Sequence, residues 1–240
     1  MEGIVRSWVD GWVVSRGAAS PVIEPWGCTI DVGLERHVTR HVFGAVGDEV
    51  DEAAVRKVAE AVTGDGVWLK VFQHPSVIAG LLGEGWWVNP EPGYLMTVPL
   101  TVPPPGSPAA SASGAGGAAS GVRRETDLPD GYRLRVWSRG GVIRAMVTAP
   151  DGSLAARGQT APVGRTAVAD QIETSPAHRR LGLGGTVMRT LQRAAAEQGA
   201  ETGVLAGTPA GRALYETLGW RVVAPLTSAR FTPPAPPASG

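Results

Sequence analysis

Arg179-Arg180-Leu181-Gly182-Leu183-Gly184-Gly185 is the stretch on which the reading of this chain turns. A strand-like apolar run precedes it and a helix-like run follows. Glycines carry no Cβ, so an anion can come close to the backbone there. The helix that follows directs its unpaired N–H groups and the positive end of its dipole at the same spot. The pattern is that of a phosphate cradle built from backbone. It is not a P-loop, because no Gly-Lys-Ser/Thr follows. It is not Gly-x-Gly-x-x-Gly either, because the third glycine falls at the wrong spacing. A glycine-rich strand-to-helix turn with no ligand is the plain structural alternative.

The surrounding residues add to the motif. Arg179-x-x-Gly182-x-Gly184 resembles the Arg/Gln-x-x-Gly-x-Gly/Ala signature of the GNAT N-acetyltransferase superfamily. Thr174-Ser175-Pro176 stands where that family's Val-x-Pro ends its fourth strand. Ala213-Leu214-Tyr215-Glu216-Thr217-Leu218-Gly219-Trp220 is similar to its Leu-Tyr-Glu-x-Leu-Gly-Phe/Trp segment. The resemblance runs from about Tyr132 to Phe231. It implies an α/β (α+β) fold with a mixed, mostly antiparallel central sheet flanked by helices.

Composition bounds the rest. The chain has 240 residues, 43% of them hydrophobic and 18% charged, enough for one large or two small globular cores. Formal net charge is zero, so neither nucleic acid nor an anionic membrane is expected as a partner. Cys28 is the single cysteine; no intrachain disulfide can form, and a small core residue is its expected role. Met1-Glu2-Gly3 opens neither a signal-peptide pattern nor a long apolar run, so the cytoplasm is the expected location.

Residues 103–121 contain only Pro, Gly, Ala and Ser and read as a flexible linker. A Pro/Ala-rich tail closes the chain at 233–240. The expected organisation is therefore a domain at 1–102, the linker, a second domain at 122–232, and the tail. In the second, Thr186–Gln198 reads as a helix, with Val187, Leu191, Ala194 and Ala195 inward and Arg189, Gln192, Arg193 and Glu197 outward. Gly203–Ala206 reads as a strand, and Pro209 opens a helix ending near Gly219-Trp220. Tyr132–Trp137, Val142–Ala149 and Leu154–Gln159 read as antiparallel strands, with a hairpin turn at Asp151-Gly152.

The first domain repeats this order. A helix is expected over Asp51–Val62, a strand over Val67–Phe72, a helix from Pro75 to near Gly85-Trp86, and a strand over Tyr94–Pro99. Pro75 to Trp86 and Pro209 to Trp220 are the same distance. The chain thus reads as two GNAT-like halves, of which the second keeps the chemistry. Leu81 stands in the place of Tyr215. The counterpart of the cradle falls near Ala45–Val50, where Asp48 and Glu49 would repel a pyrophosphate. The second half has no room for the two helices that follow the first strand in a full GNAT domain. The first half is the candidate to close the acceptor wall in their place.

Acetyl transfer from a thioester to an amine needs a held cofactor, a deprotonated amine, a stabilised oxyanion and a protonated leaving thiolate. The resemblance implies acetyl-CoA as cosubstrate. Its pyrophosphate would rest on the backbone of Arg180, Leu181, Gly182, Leu183, Gly184 and Gly185, with the Thr186 hydroxyl and the charges of Arg179 and Arg180 beside it. Its pantetheine arm would pair with Ile172, Glu173 and Thr174, one N–H of that strand facing the thioester oxygen. Tyr215 is implied as general acid. Asp170, six residues before Pro176, is implied as base, with Glu173 as the alternative; a bulge is needed to bring both to one side of the strand.

Thr208 stands near where relatives carry a cofactor-contacting asparagine; its hydroxyl either substitutes or caps the helix from Pro209. His37 and His41 are spaced four apart with no third ligand, and no metal is expected. Trp8, Trp12 and Trp26 are expected to pack in a core. The expected activity is direct acetylation of a primary amine on a small molecule or peptide. The rival is a non-catalytic acyl-CoA-binding module, and a longer acyl donor is a third possibility.

Overall fold

The computed structural model describes residues 3–44, 49–101 and 128–234. The expected linker at 103–121, positions 45–48 of the degenerate loop and positions 235–240 of the tail lie outside the described residues. Two compact units divide the chain: Met1–Val98 with Val204–Gly240, and Pro99–Gly203. The segment from Val204 onward thus groups with the N-terminal half.

The second unit is a four-strand antiparallel meander with one helix on it. Its strands are β7 (Arg133–Arg139), β8 (Val142–Thr148), β9 (Leu154–Val163) and β10 (Thr166–Thr174). The β8–β9 turn is at Asp151-Gly152, where Gly152 has φ 84°. A 3-10 turn, Pro176–His178, leads to helix α4, Leu183–Glu197. Leu183, Val187 and Leu191 form its inner stripe and pack on Ile143, Ala145 and Val147 of β8. Each fully buried side chain of this size stabilises the unit by about 1.5–3 kcal/mol. Gly158 of β9 lets the helix sit this close: a Cβ there would meet Ile172 Cδ1 at 2.5 Å and Val187 Cγ1 at 2.8 Å.

The first unit opens with helix α1, Ile4–Arg16. Strands β1 (Val22–Glu24), β2 (Gly27–Leu34) and β3 (His37–Phe43) follow, then helix α2 (Glu52–Ala61), β4 (Val67–Val71), helix α3 (Pro75–Ala79), β5 (Trp86–Val88) and β6 (Gly93–Pro99). After the second unit the chain returns with β11 (Thr202–Gly207), helix α5 (Pro209–Thr217) and β12 (Arg221–Phe231). The strand order is β1-β2-β3-β4-β12-β6-β11, with β5 on β12. Phe43, Val55, Ala59, Leu69, Val71, Ile78 and Ala229 form the core between the sheet and helices α2 and α3. Cys28 lies fully buried, as its size suggests.

β12 ties the two ends of the sequence together. Arg221–Leu226 runs antiparallel to β6. Thr227–Arg230 pairs with β4, and Ala229–Phe231 pairs with β5. The last strand of the chain is therefore held by three strands from its first hundred residues, and β6 in turn sits between β12 and β11. The helix–strand–helix–strand order of the N-terminal half, α2-β4-α3-β5, recurs as α4-β11-α5-β12.

The N-terminal tryptophans pack into apolar cores, as expected, while two helix boundaries need correction. Val5, Trp8, Val9 and Trp12 recur at helical spacing and are the buried stripe of α1. Trp26 instead stacks on Phe43 at 4.6 Å. Helix α3 ends at Ala79 rather than near Gly85, since Gly80, Gly83 and Gly85 follow within one turn and a half and each disfavours continuation. Helix α4 starts at Leu183, three residues before the expected Thr186.

Deleting residues 1–121 removes every strand that flanks β12. The remaining chain is expected to be insoluble or unfolded by circular dichroism, whereas full-length protein melts cooperatively. A soluble, cooperatively melting fragment would show that the strands holding β12 are dispensable.

Candidate functional site

The turn out of β10 is built by backbone conformation. Arg179 is extended, with φ −70° and ψ 162°. Arg180 then takes φ 64°, and Gly182 takes φ 79°. A non-glycine residue in this left-handed region is uncommon and carries strain. Arg180 accepts it where a concave run of N–H groups is formed, the kind of nest that receives anions. Arg179 Nε donates to the Thr174 carbonyl at 3.5 Å, folding the chain back on the end of β10.

Gly182 is the N-cap of α4, and no side chain caps the helix. The first helical hydrogen bond in the turn is Thr186 N to Gly182 O, 3.1 Å. The N–H groups of Leu183, Gly184 and Gly185 thus precede the first i→i−4 bond and have no intrahelical acceptor. The sequence motif overlaps this first turn, so its glycines are helix donors rather than loop. Thr186, expected to offer its hydroxyl, is only 2% exposed and donates to Gly182 O at 3.4 Å.

A third guanidinium stands at the helix start. An added Cβ on Gly185 would lie 3.2 Å from Arg189 Nη1, so the Arg189 side chain runs back along the helix to its first turn. Helical side chains lean toward the N-terminus and meet the residue four earlier. That i, i+4 spacing was the available signal for a residue the helical pattern had turned outward.

His178 fastens the same turn from the other side. Tyr132 Oη lies 2.9 Å from His178 Nδ1, and Ser153 Oγ lies 3.3 Å from Nε2. Ser153 Oγ donates to Asp151 Oδ1 at 2.7 Å. A proton on Nε2 lets the ring donate to Ser153 Oγ, which leaves the serine proton for Asp151. Ser153, donating from its backbone N–H and its hydroxyl, holds the Asp151 carboxyl below its ordinary range, with His178 adding to the effect. Nothing in the motif pattern marked these residues; the contacts depend on the β8–β9 turn reaching His178.

β10 carries the bulge that the two candidate bases require. Asp170 pairs with Gln159 and Glu173 pairs with Arg157, so three residues of β10 span two of β9. Gln171 absorbs the extra residue with φ 54°. Gln159 and Arg157 share one face of β9, so Asp170 and Glu173 share it too. Ile172 points the other way, into the core under α4. Glu173 is engaged, with its Oε2 accepting from Arg157 Nε and Nη2 at 3.0 Å. Asp170 Oδ1 accepts from the Gln171 N–H at 2.9 Å.

Tyr215 and Thr208 lie in the first unit, on α5 and at its start. Thr208 Oγ1 accepts from Gly211 N at 3.2 Å and caps the helix. Tyr215 is 8% exposed. Two glycines make room for its ring: an added Cβ on Gly207 or on Gly211 would lie 2.9 Å from Tyr215 Cε2, and the one on Gly211 would also lie 3.4 Å from the hydroxyl. Neither glycine was singled out in the sequence.

The first half shows what the second has kept. Asp51 Oδ1 accepts from Ala53 N and Ala54 N at 2.9 and 3.2 Å, so a carboxylate already occupies the start of α2. β3 and β4 pair in parallel register from Thr39–Val67 to Phe43–Val71 without a break. Leu81 is buried in the core. His37 and His41 lie on β3 in different surroundings: Arg40 Nε donates to His37 Nε2 at 3.2 Å, while His41 Nδ1 lies 2.9 Å from Thr29 Oγ1.

Residues 119–220 match the acetyltransferase (GNAT) family, a span of under half the chain. No curated protein matches the sequence. Several solved structures are similar. A GCN5-related N-acetyltransferase from Kribbella flavida gives a TM-score of 0.63 at 15% identity over 98% of both chains. A GNAT-family protein from Novosphingobium aromaticivorans gives 0.55 at 16% identity, again over 98% of both. A tandem GNAT protein from the clavulanic acid biosynthesis pathway gives 0.50 at 13% identity, over 77% of this chain and 69% of its own. The fold is that of the GNAT proteins. Among the described residues no helix is long and apolar enough to cross a membrane.

Arg179 and Arg180 are exposed and make no core contact. Reversing both charges (Arg179→Glu with Arg180→Glu) is expected to weaken coenzyme A binding at least tenfold by calorimetry, about 1.4 kcal/mol, with little change in melting temperature. Unchanged affinity would place the pyrophosphate elsewhere.

Proposed function

We propose that this protein is an acetyl-CoA-dependent N-acetyltransferase that acts on a primary amine by direct attack on the thioester. The observation that carries the reading is the start of α4, a helix whose first N–H groups meet no side-chain cap and follow two left-handed residues. A diphosphate is the ligand that such an arrangement accepts. The family match over residues 119–220 supports the same reading.

The roles follow from the chemistry. Backbone N–H groups from Arg180 to Gly185 receive the pyrophosphate, and Arg179, Arg180 and Arg189 supply positive charge. Ile172, Glu173 and Thr174 offer the backbone for the pantetheine arm, and an N–H at the bulge serves the thioester oxygen. Asp170 is the proposed base. Glu173 is the weaker candidate, because its carboxylate is already committed to Arg157. Tyr215 is the proposed acid for the departing thiolate, held by the space that Gly207 and Gly211 leave. Thr208 serves the helix as its cap. The N-terminal half is a degenerate copy in which the Asp51 carboxylate stands in for the phosphate.

The test is release of free thiol from acetyl-CoA against a library of amines, with Tyr215→Phe alongside. A general acid contributes typically 10²–10⁴-fold. Tyr215→Phe is therefore expected to lower turnover by about a hundredfold while coenzyme A affinity holds. Coenzyme binding with no thiol release for any amine would instead identify a non-catalytic acyl-CoA-binding module.

A further inference from the structure

In the first unit, the face of the sheet opposite α2 and α3 gathers cations. Leu69, Val71, Phe43 and Ala229 point toward those helices. By alternation Arg40 of β3, Trp68 and Lys70 of β4, and Ser228 and Arg230 of β12 point to the other face. The register sets them side by side: Ser228 opposite Lys70, Arg230 opposite Trp68, and Arg40 level with Trp68. Arg230 is also opposite Trp87 of β5.

Lys70 and Arg230 are the two cations there whose answering groups can be followed. Among the described residues Lys70 has no ion-pair partner. Its Nζ donates to Ser228 Oγ at 2.6 Å and lies 5.0 Å from the centre of the Trp68 ring. Burial first, then the charges of Arg40 and Arg16, push its ammonium well below the ordinary lysine range. The Arg40 guanidinium is buried 3.8 Å from the centre of the Trp12 ring. Arg230 Nε is buried and has no acceptor among the described residues. His37 lies in the same group and is held neutral: burial first, then Arg40, Lys70 and Arg16, push it down to about 3. Half-buried cations are costly unless a counter-charge meets them.

We propose that this face is a binding site for an oxyanion, a phosphate or carboxylate group carried by a small molecule, seated on Lys70, Ser228 and the Arg230 guanidinium. Ser228 Oγ accepts from Lys70, so its own proton is free to be donated to the anion. Lys70 and Arg230 are diagonal neighbours across the antiparallel β4–β12 pair, about 7–8 Å apart, which lets one oxyanion bridge them. The Trp68 and Trp87 rings on either side offer flat apolar walls to whatever bears the anion. The site lies wholly in the first unit and does not depend on coenzyme binding at the loop.

The chain has two lysines, Lys57 and Lys70. Full-length protein made with 13Cε-lysine therefore gives two lysine signals, and Lys57→Arg assigns them. Inorganic phosphate and citrate, titrated separately, are expected to shift the Lys70 signal saturably, with a dissociation constant below about 10 mM. Lys57 should stay in place, and the Lys70 amine should titrate at higher pH in the bound state. Whichever anion acts at lower concentration identifies the group. Sodium chloride at matched ionic strength should leave Lys70 unmoved. The shift should persist in the Arg179→Glu, Arg180→Glu protein and weaken at least threefold in Ser228→Ala. No saturable shift with either anion, an equal shift with chloride, or loss of the response in the loop variant would overturn the proposal.

Discussion

Helix α4 begins with N–H groups that meet neither an intrahelical acceptor nor a capping side chain. Most helices satisfy such groups with Ser, Thr, Asp or Asn at the N-cap. Here glycine takes that position, and the chain enters through Arg180 in a conformation that favours glycine or asparagine. The strain and the unanswered donors occur together, as expected of a site kept open for a ligand. α2 shows the opposite solution in the same molecule, where the Asp51 carboxylate closes the helix start from within. One carboxylate thus separates a helix start closed by its own chain from one left without a side-chain cap.

The same contrast runs through the strands beside each helix. β10 is bulged at Gln171, which turns two carboxylates to one face and sends Ile172 to the other. β3, its counterpart in the first half, pairs with β4 without a break, and the irregularity in its ladder to β2 falls in β2, between Asp31 and Leu34. A paired ladder has no free backbone to offer a pantetheine arm, and a bulge frees some. The first half nevertheless has a structural task. Its strands β4, β5 and β6 hold β12, the strand that follows the helix of Tyr215. The half without the cradle is therefore built into the unit that carries the proposed acid.

The glycine-rich turn into α4 was legible because glycine spacing and helix periodicity are local. The helices α2, α4 and α5 and most strands followed for the same reason, since apolar spacing and Pro or Gly boundaries mark them residue by residue. What escaped was set by tertiary context. The pairing of β12 with β4, β5 and β6 cannot be read from its own alternation, because alternation does not say which strand will lie beside it. The bulge at Gln171 leaves no composition signal. Val5, Trp8, Val9 and Trp12 carry the period of α1, and expecting core burial of the tryptophans took no account of that period. Arg189 and the Tyr132–His178–Ser153 chain needed the backbone to be in place before their reach to the loop could be seen.

Amide hydrogen exchange on the full-length protein tests the central claim most directly. With no acceptor, the amides from Arg180 to Gly185 should exchange fast in the free protein. Saturating coenzyme A should slow them more than any other segment. Protection that falls elsewhere, with this first turn unchanged, would contradict the account.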